Sequence, residues 1–151
     1  MNNRPVLICY DGSQDSERAI DAAAALLGTR KAVVLDVGPP LTAAESLAML
    51  SPVAPGSAFE QLNADDASND ARIGAERARG AGFEAEPRAE VAAPTWQDIV
   101  DVGDEIDAAV IVIGSRGLSG VHERLAGSVS HEVATHGGRP VLIVPPFDDA
   151  S

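Results

Sequence analysis

AAVIVIGSRG, residues 108–117, is the stretch on which the fold turns. Ala108 to Ile113 run without a polar residue and end in Val-Ile-Val-Ile, the pattern of a strand buried on both faces. Gly114 and Gly117 break the run, and the next periodic segment, Ser128 to Thr135, reads as a helix stopped by Gly137-Gly138. Similar units lie on either side. Pro5 to Tyr10 and Ala32 to Val37 are short apolar runs with β-branched members, and Pro140 to Val144 closes the series. Between the first two, Ser13 can cap a helix with Asp15 and Glu17 in its first turn. Its apolar stripe is Ala19, Ile20, Ala23, Ala24 and Leu27, and Gly28 is its stop.

The middle of the chain is less regular. Gly38 to Ser57 carries Pro39, Pro40, Pro52 and Pro55 and reads as a long mobile loop, with Thr42 to Leu50 able to form a short helix. Ala58 to Gly82 reads as a helix weakened by Gly74. Phe83 to Val91 alternates apolar and charged residues, a half-exposed strand that Pro87 assigns to an edge or a bulge. Thr95 to Ile106 is helical, with Trp96, Ile99, Val100 and Val102 facing inward. Strands alternating with helices predict one α/β domain over residues 1–151, a mostly parallel sheet with helices on both faces. Residues 147–151 form an acidic tail.

Eleven basic residues against 23 acidic ones leave a net charge of −12. Nucleic acid and anionic membrane need clustered cations, so neither is an expected partner. No apolar run approaches the roughly 20 residues of a membrane helix, and the opening residues lack a signal-peptide pattern, which predicts a cytoplasmic protein. Cys9 is the sole cysteine and lies in an apolar run, which excludes an internal disulfide and a Cys-rich zinc site.

The chemistry is carried by Gly114-Ser115-Arg116-Gly117, nine further residues, and Gly127-Ser128. Gly114 ends a buried strand where backbone can approach a ligand, and Gly117 can take positive φ and turn successive N–H groups into one nest. Gly127, Ser128, Val129 and Ser130 bring N–H groups and two hydroxyls to a helix N-terminus, which favours an anion. The spacing fits neither a dinucleotide fingerprint nor a Walker loop.

This G-x2-G-x9-G-S pattern resembles the ATP-binding motif of the universal stress proteins, and ICYDGSQDSERAI and GGRPVLIVPP are similar to that family's first and last strands. The resemblance runs from about Val6 to Pro146 and implies a five-stranded parallel sheet of order 3-2-1-4-5. It further implies ATP across the carboxyl ends of the first and fourth strands. Asp11 would face the adenosine, with Gly12 and Ser13 on the same rim and Val37 packed on adenine. Gly114, Ser115, Arg116 and Gly117, with Gly120, would wrap ribose and α-phosphate. Gly127, Ser128, Val129 and Ser130 would receive the β- and γ-phosphates. Asp36 departs from the family pattern, in which His or another neutral residue commonly precedes the valine.

Several other readings fit less well. His131 and His136 are five apart, whereas a zincin helix needs four, and no G-x-S-x-G elbow accompanies Ser128 or Ser130. Asp11-Gly-Ser-Gln-Asp-Ser16 faintly resembles the loop of ATP pyrophosphatases, which keeps an adenylating enzyme as an alternative, beside a nucleotide-free dimeric scaffold. The favoured expectation is a nucleotide-dependent stress-response regulator with slow or no hydrolysis. Its nearest cations in sequence are Arg116 and Arg124, and Asp11 or Glu123 would meet Mg²⁺ carried by the nucleotide. Val141-Leu142-Ile143-Val144 is an apolar sheet edge that a second copy would cover, predicting a homodimer.

Overall fold

The computed structural model describes residues 3–38, 56–91, 94–115 and 126–146. The expected helix at Thr42 to Leu50 and the acidic tail lie outside them, as does most of the expected loop. Gly38 itself ends a strand and Gly56 begins a helix.

Five strands appear among the described residues: β1 (Val6–Cys9), β2 (Lys31–Gly38), β3 (Glu84–Val91), β4 (Val110–Gly114) and β5 (Val141–Val144). The helices are α1 (Gln14–Leu27), α2 (Gly56–Gly80), α3 (Thr95–Glu105) and α4 (Ala126–His136). All strand pairs are parallel, in the order β3-β2-β1-β4-β5. Ile8 stands between Val34 of β2 and Val112 of β4, which fixes the register at the centre.

The sheet has a core on each face. Val6, Ile8, Tyr10, Val34 and Val112 pack with Ala19, Ile20 and Ala23 of α1 and Ala75 and Ala78 of α2. Leu7, Cys9, Leu35, Val37, Ile111 and Ile113 pack with Ile99 and Val102 of α3 and Val133 of α4. Alternate residues of one strand therefore serve opposite layers, which is why β1 and β4 are apolar throughout. Cys9 is buried in the second layer, and burial pushes its thiol well above the usual range.

Of the edge or bulge that Pro87 predicts, β3 is the edge. Its alternation holds only in part: Phe83 and Ala85 are buried, but Pro87 and Val91 are exposed. An edge strand has a neighbour on one side, so its far end extends beyond the layer that α2 covers. α2 nevertheless passes close to the sheet. A Cβ on Gly74 would stand 2.7 Å from the Tyr10 ring and 2.8 Å from Val34 Cγ1, so the residue that weakens the helix locally is what lets it seat.

Candidate functional site

At the carboxyl end of β1 the chain must leave the sheet and start α1 within a few residues. Ser13 does this by capping: its Oγ accepts from the Ser16 N–H at 3.1 Å. The Ser13 N–H in turn donates to Asp11 Oδ1 at 2.9 Å, an Asx-type turn that fixes the Asp11 carboxylate on the rim. Gly12 sits between them at φ +82°, where a side chain would be strained.

β4 supplies the opposite wall. The β1–β4 register, continued two residues past Ile8 and Val112, sets Tyr10 level with Gly114. Gly114 is buried and pairs with Val144, and the Ser115 N–H donates to the Val144 carbonyl at 2.9 Å. The chain order reverses between β1 and β4: β2 and β3 lie on one side, β5 on the other. Such a switch point opens a crevice at the carboxyl ends of the strands.

The structure thus brings Asp11, Gly12 and Ser13 opposite Gly114 and Ser115, with Val37 at the end of β2. Arg116, Gly117 and Gly120 lie outside the described residues, as do Glu123 and Arg124. α4 begins at Ala126, two residues earlier than the periodicity predicts, so Gly127 and Ser128 fall in its first turn. The unpaired N–H groups of a helix belong to that turn. Val129 and Ser130 stand just beyond it, Val129 half-buried against the α3–α4 layer and Ser130 buried.

Asp36, the departure from the family pattern, meets a residue that the sequence motifs do not mark, Asp70. Asp36 is 6% exposed. Its carboxyl is in hydrogen-bond contact with that of Asp70 on α2, and burial and the facing Asp70 and Asp11 push it from the ordinary 3.8 up to about 8. A Cβ on Gly12 would lie 3.7 Å from Asp70 Oδ1, which places the pair directly behind the rim. A signal for Asp70 existed: it precedes Gly74 by four residues, one helical turn, on the face that meets the sheet.

The remaining titratable groups are spread out. His136 pairs with Glu132 at 3.1 Å and packs against the Trp96 ring. Among the described residues no three His, Cys, Asp or Glu side chains are grouped to hold a metal, and no helix is long and apolar enough to cross a membrane.

Residues 2–145 match the universal stress protein family. Universal stress protein YxiE of Bacillus subtilis (strain 168) is 31% identical over 144 residues, covering 92% of this chain and 97% of its own length. Universal stress protein Rv1636 of Mycobacterium tuberculosis (strain ATCC 25618 / H37Rv) is 35% identical over 149 residues, covering 93% of this chain and 95% of its own. A solved structure of a universal stress protein in complex with cAMP is 30% identical, with a TM-score of 0.64 over 95% of this chain and 98% of that one.

Proposed function

The chain belongs to the universal stress protein family, and on that premise we propose that it binds ATP at the β1–β4 crevice as a nucleotide-dependent stress-response regulator of the cytoplasm. The observation that carries this reading is the pairing of Gly12 at positive φ and the Asp11 turn with Gly114 across the point where the strand order reverses. Asp11, Gly12 and Ser13 would meet the adenosine and Val37 the base. Gly114, Ser115, Arg116, Gly117 and Gly120 would follow the ribose and α-phosphate, and the first turn of α4 with Ser130 would hold the outer phosphates. Mg²⁺ would arrive on the triphosphate.

A similar protein at 30% identity is solved with cAMP, which favours a second reading with the cyclic nucleotide in the same crevice. Mass spectrometry of nucleotide carried through native purification, followed by calorimetry with ATP and cAMP, decides between them. Absence of binding by both would refute the nucleotide reading.

Hydrolysis is expected to be slow. A cradle of static N–H donors binds ground state and transition state nearly alike, and Asp11 is turned into its own loop by the Ser13 N–H. Phosphate release should stay far below the ~10 s⁻¹ typical of enzymes. Turnover at tens per second would make this an enzyme.

The homodimer belongs to the same proposal. β5 is an edge strand whose residues are all half-buried or exposed, with Ile143 40% exposed, whereas β4 beside it is buried throughout. A second copy laid along β5 would cover that apolar edge. Val141→Asp is expected to convert a dimer to a monomer in light scattering at micromolar concentration. A wild-type monomer, or a variant dimer, would contradict it.

A further inference from the structure

We propose that Asp36 and Asp70 share one proton across the seam between β2 and α2, and that losing this proton weakens nucleotide binding at the adjoining rim. The second half of this statement rests on the nucleotide reading above; the first does not.

The geometry leaves little choice about the proton. Asp36 follows Leu35 in a strand whose other described side chains from Ala32 to Val37 are apolar, and it points to the α2 face, where Asp70 meets it. Two carboxyl groups in hydrogen-bond contact, one of them buried, cannot both be ionised cheaply; a single proton between them makes one a donor and the other an acceptor.

Among the described residues, the ion-paired cations near the pair are bound to other carboxylates. From Ala32 to Ala71 the sequence contains no Lys, Arg or His. On β1, Tyr10 lies level with Asp36 and Asp11 follows it, adding a third carboxylate. On β3 the register partner is Ala89; its neighbour Arg88 turns to the other face and pairs with Glu90 and Glu105. On α2, Arg72 pairs with Glu76, and Arg77 with Glu17 and Asp21 of α1. Arg72, Arg77 and Arg88 are thus engaged with other carboxylates.

The sign follows from the Asp36 value of about 8 against an ordinary 3.8. Between those values the folded chain holds a proton that the unfolded chain has released, so stability falls as pH rises through the interval. Loss of the proton also adds a negative charge behind a rim that already carries Asp11, and an anionic ligand is repelled. By reciprocity, bound nucleotide raises the pair's affinity for its proton by the same factor.

Asp36→Asn separates these statements, because the amide still donates to Asp70 but does not titrate. Without nucleotide, the wild-type melting temperature should fall from pH 5.5 to pH 9. The variant should show a flatter profile and exceed the wild type at pH 9. Difference infrared spectra between these pH values should contain a protonated-carboxyl carbonyl band that Asp36→Asn abolishes. Calorimetry with ATP and with cAMP at pH 6 and pH 9 then reads the coupling. The ratio of the two Kd values should be about threefold to tenfold larger for wild type than for Asp36→Asn, the ligand's own titration cancelling in the comparison. Parallel melting profiles and an unchanged carbonyl band overturn the shared proton. Equal Kd ratios in the two proteins overturn its link to binding. A wild type that binds neither nucleotide refutes the parent reading and the coupling together, while the melting profile still decides the shared proton.

Discussion

Gly74→Leu is expected to remove most of the stability of the fold, and Gly74→Ala a measurable part of it. Even the first added carbon would lie 2.7 Å from two atoms of the Tyr10 ring and 2.8 Å from Val34. Both neighbours are buried in the layer that α1 and α2 form on the sheet, so neither can swing away. Overpacking of this kind costs about 1–3 kcal/mol for a methyl group. The better helix propensity of alanine returns about 1 kcal/mol, so the net effect should be a loss. Leucine has no space at all, and a domain with about 5–15 kcal/mol of stability should lose its cooperative transition with it. Gly80 is the internal control. It closes the same helix, and a Cβ there meets nothing within 4 Å, so Gly80→Ala should be neutral or slightly stabilising. Urea midpoints for the three variants check this. A stabilising Gly74→Ala would mean that α2 does not sit as close to β1 and β2 as described.

Gly127→Val should weaken ATP binding at least about 100-fold with the melting temperature nearly unchanged. Gly127 lies in the first turn of α4, so a need for positive φ is not what calls for glycine there. A glycine inside a helix costs roughly 0.5–1 kcal/mol relative to alanine. On the proposed nucleotide reading, a missing Cβ in that turn lets the phosphates approach the first-turn N–H groups closely. Valine puts branched carbon over those donors while the strands remain as they are. Loss of about 2.7 kcal/mol of binding corresponds to the stated factor. Calorimetry gives the affinity and thermal melting the stability. Full affinity in the variant would move the phosphates away from α4.

Much of the fold was legible because it is written in periodicity. Val6–Cys9, Val110–Gly114 and Val141–Val144 are continuous apolar runs, and each is a strand. Ser13 caps α1 as its side chain predicts, and Gly28 ends it at φ +70°. Pro87 announced an edge because a residue without an N–H cannot complete a central ladder. The exposure of Pro87 and Val91 was not legible, since alternation says which residues share a face but not whether anything covers it. Of the candidate site, Asp11, Gly12, Ser13, Gly114 and Ser115 were marked by turn chemistry at strand ends. Asp70 was not, because a single acid on a polar helix looks like any solvated residue unless its one-turn spacing from Gly74 is read.

The order of strands and helices, the caps and the glycine-bounded rim are local properties: each depends on residues within a few positions of one another, so the linear chain specifies them. Three features needed the folded chain. Gly74 looks like a defect in a helix until Tyr10 and Val34 arrive from strands far away in sequence. Asp36 looks like an ordinary strand carboxylate until Asp70, 34 positions further on, closes over it and removes water. The switch point itself exists because β4 inserts beside β1 and reverses the strand order. In each case the deciding quantity is the distance between residues remote in the chain, set by packing of the layers, and side-chain chemistry alone carries no record of it.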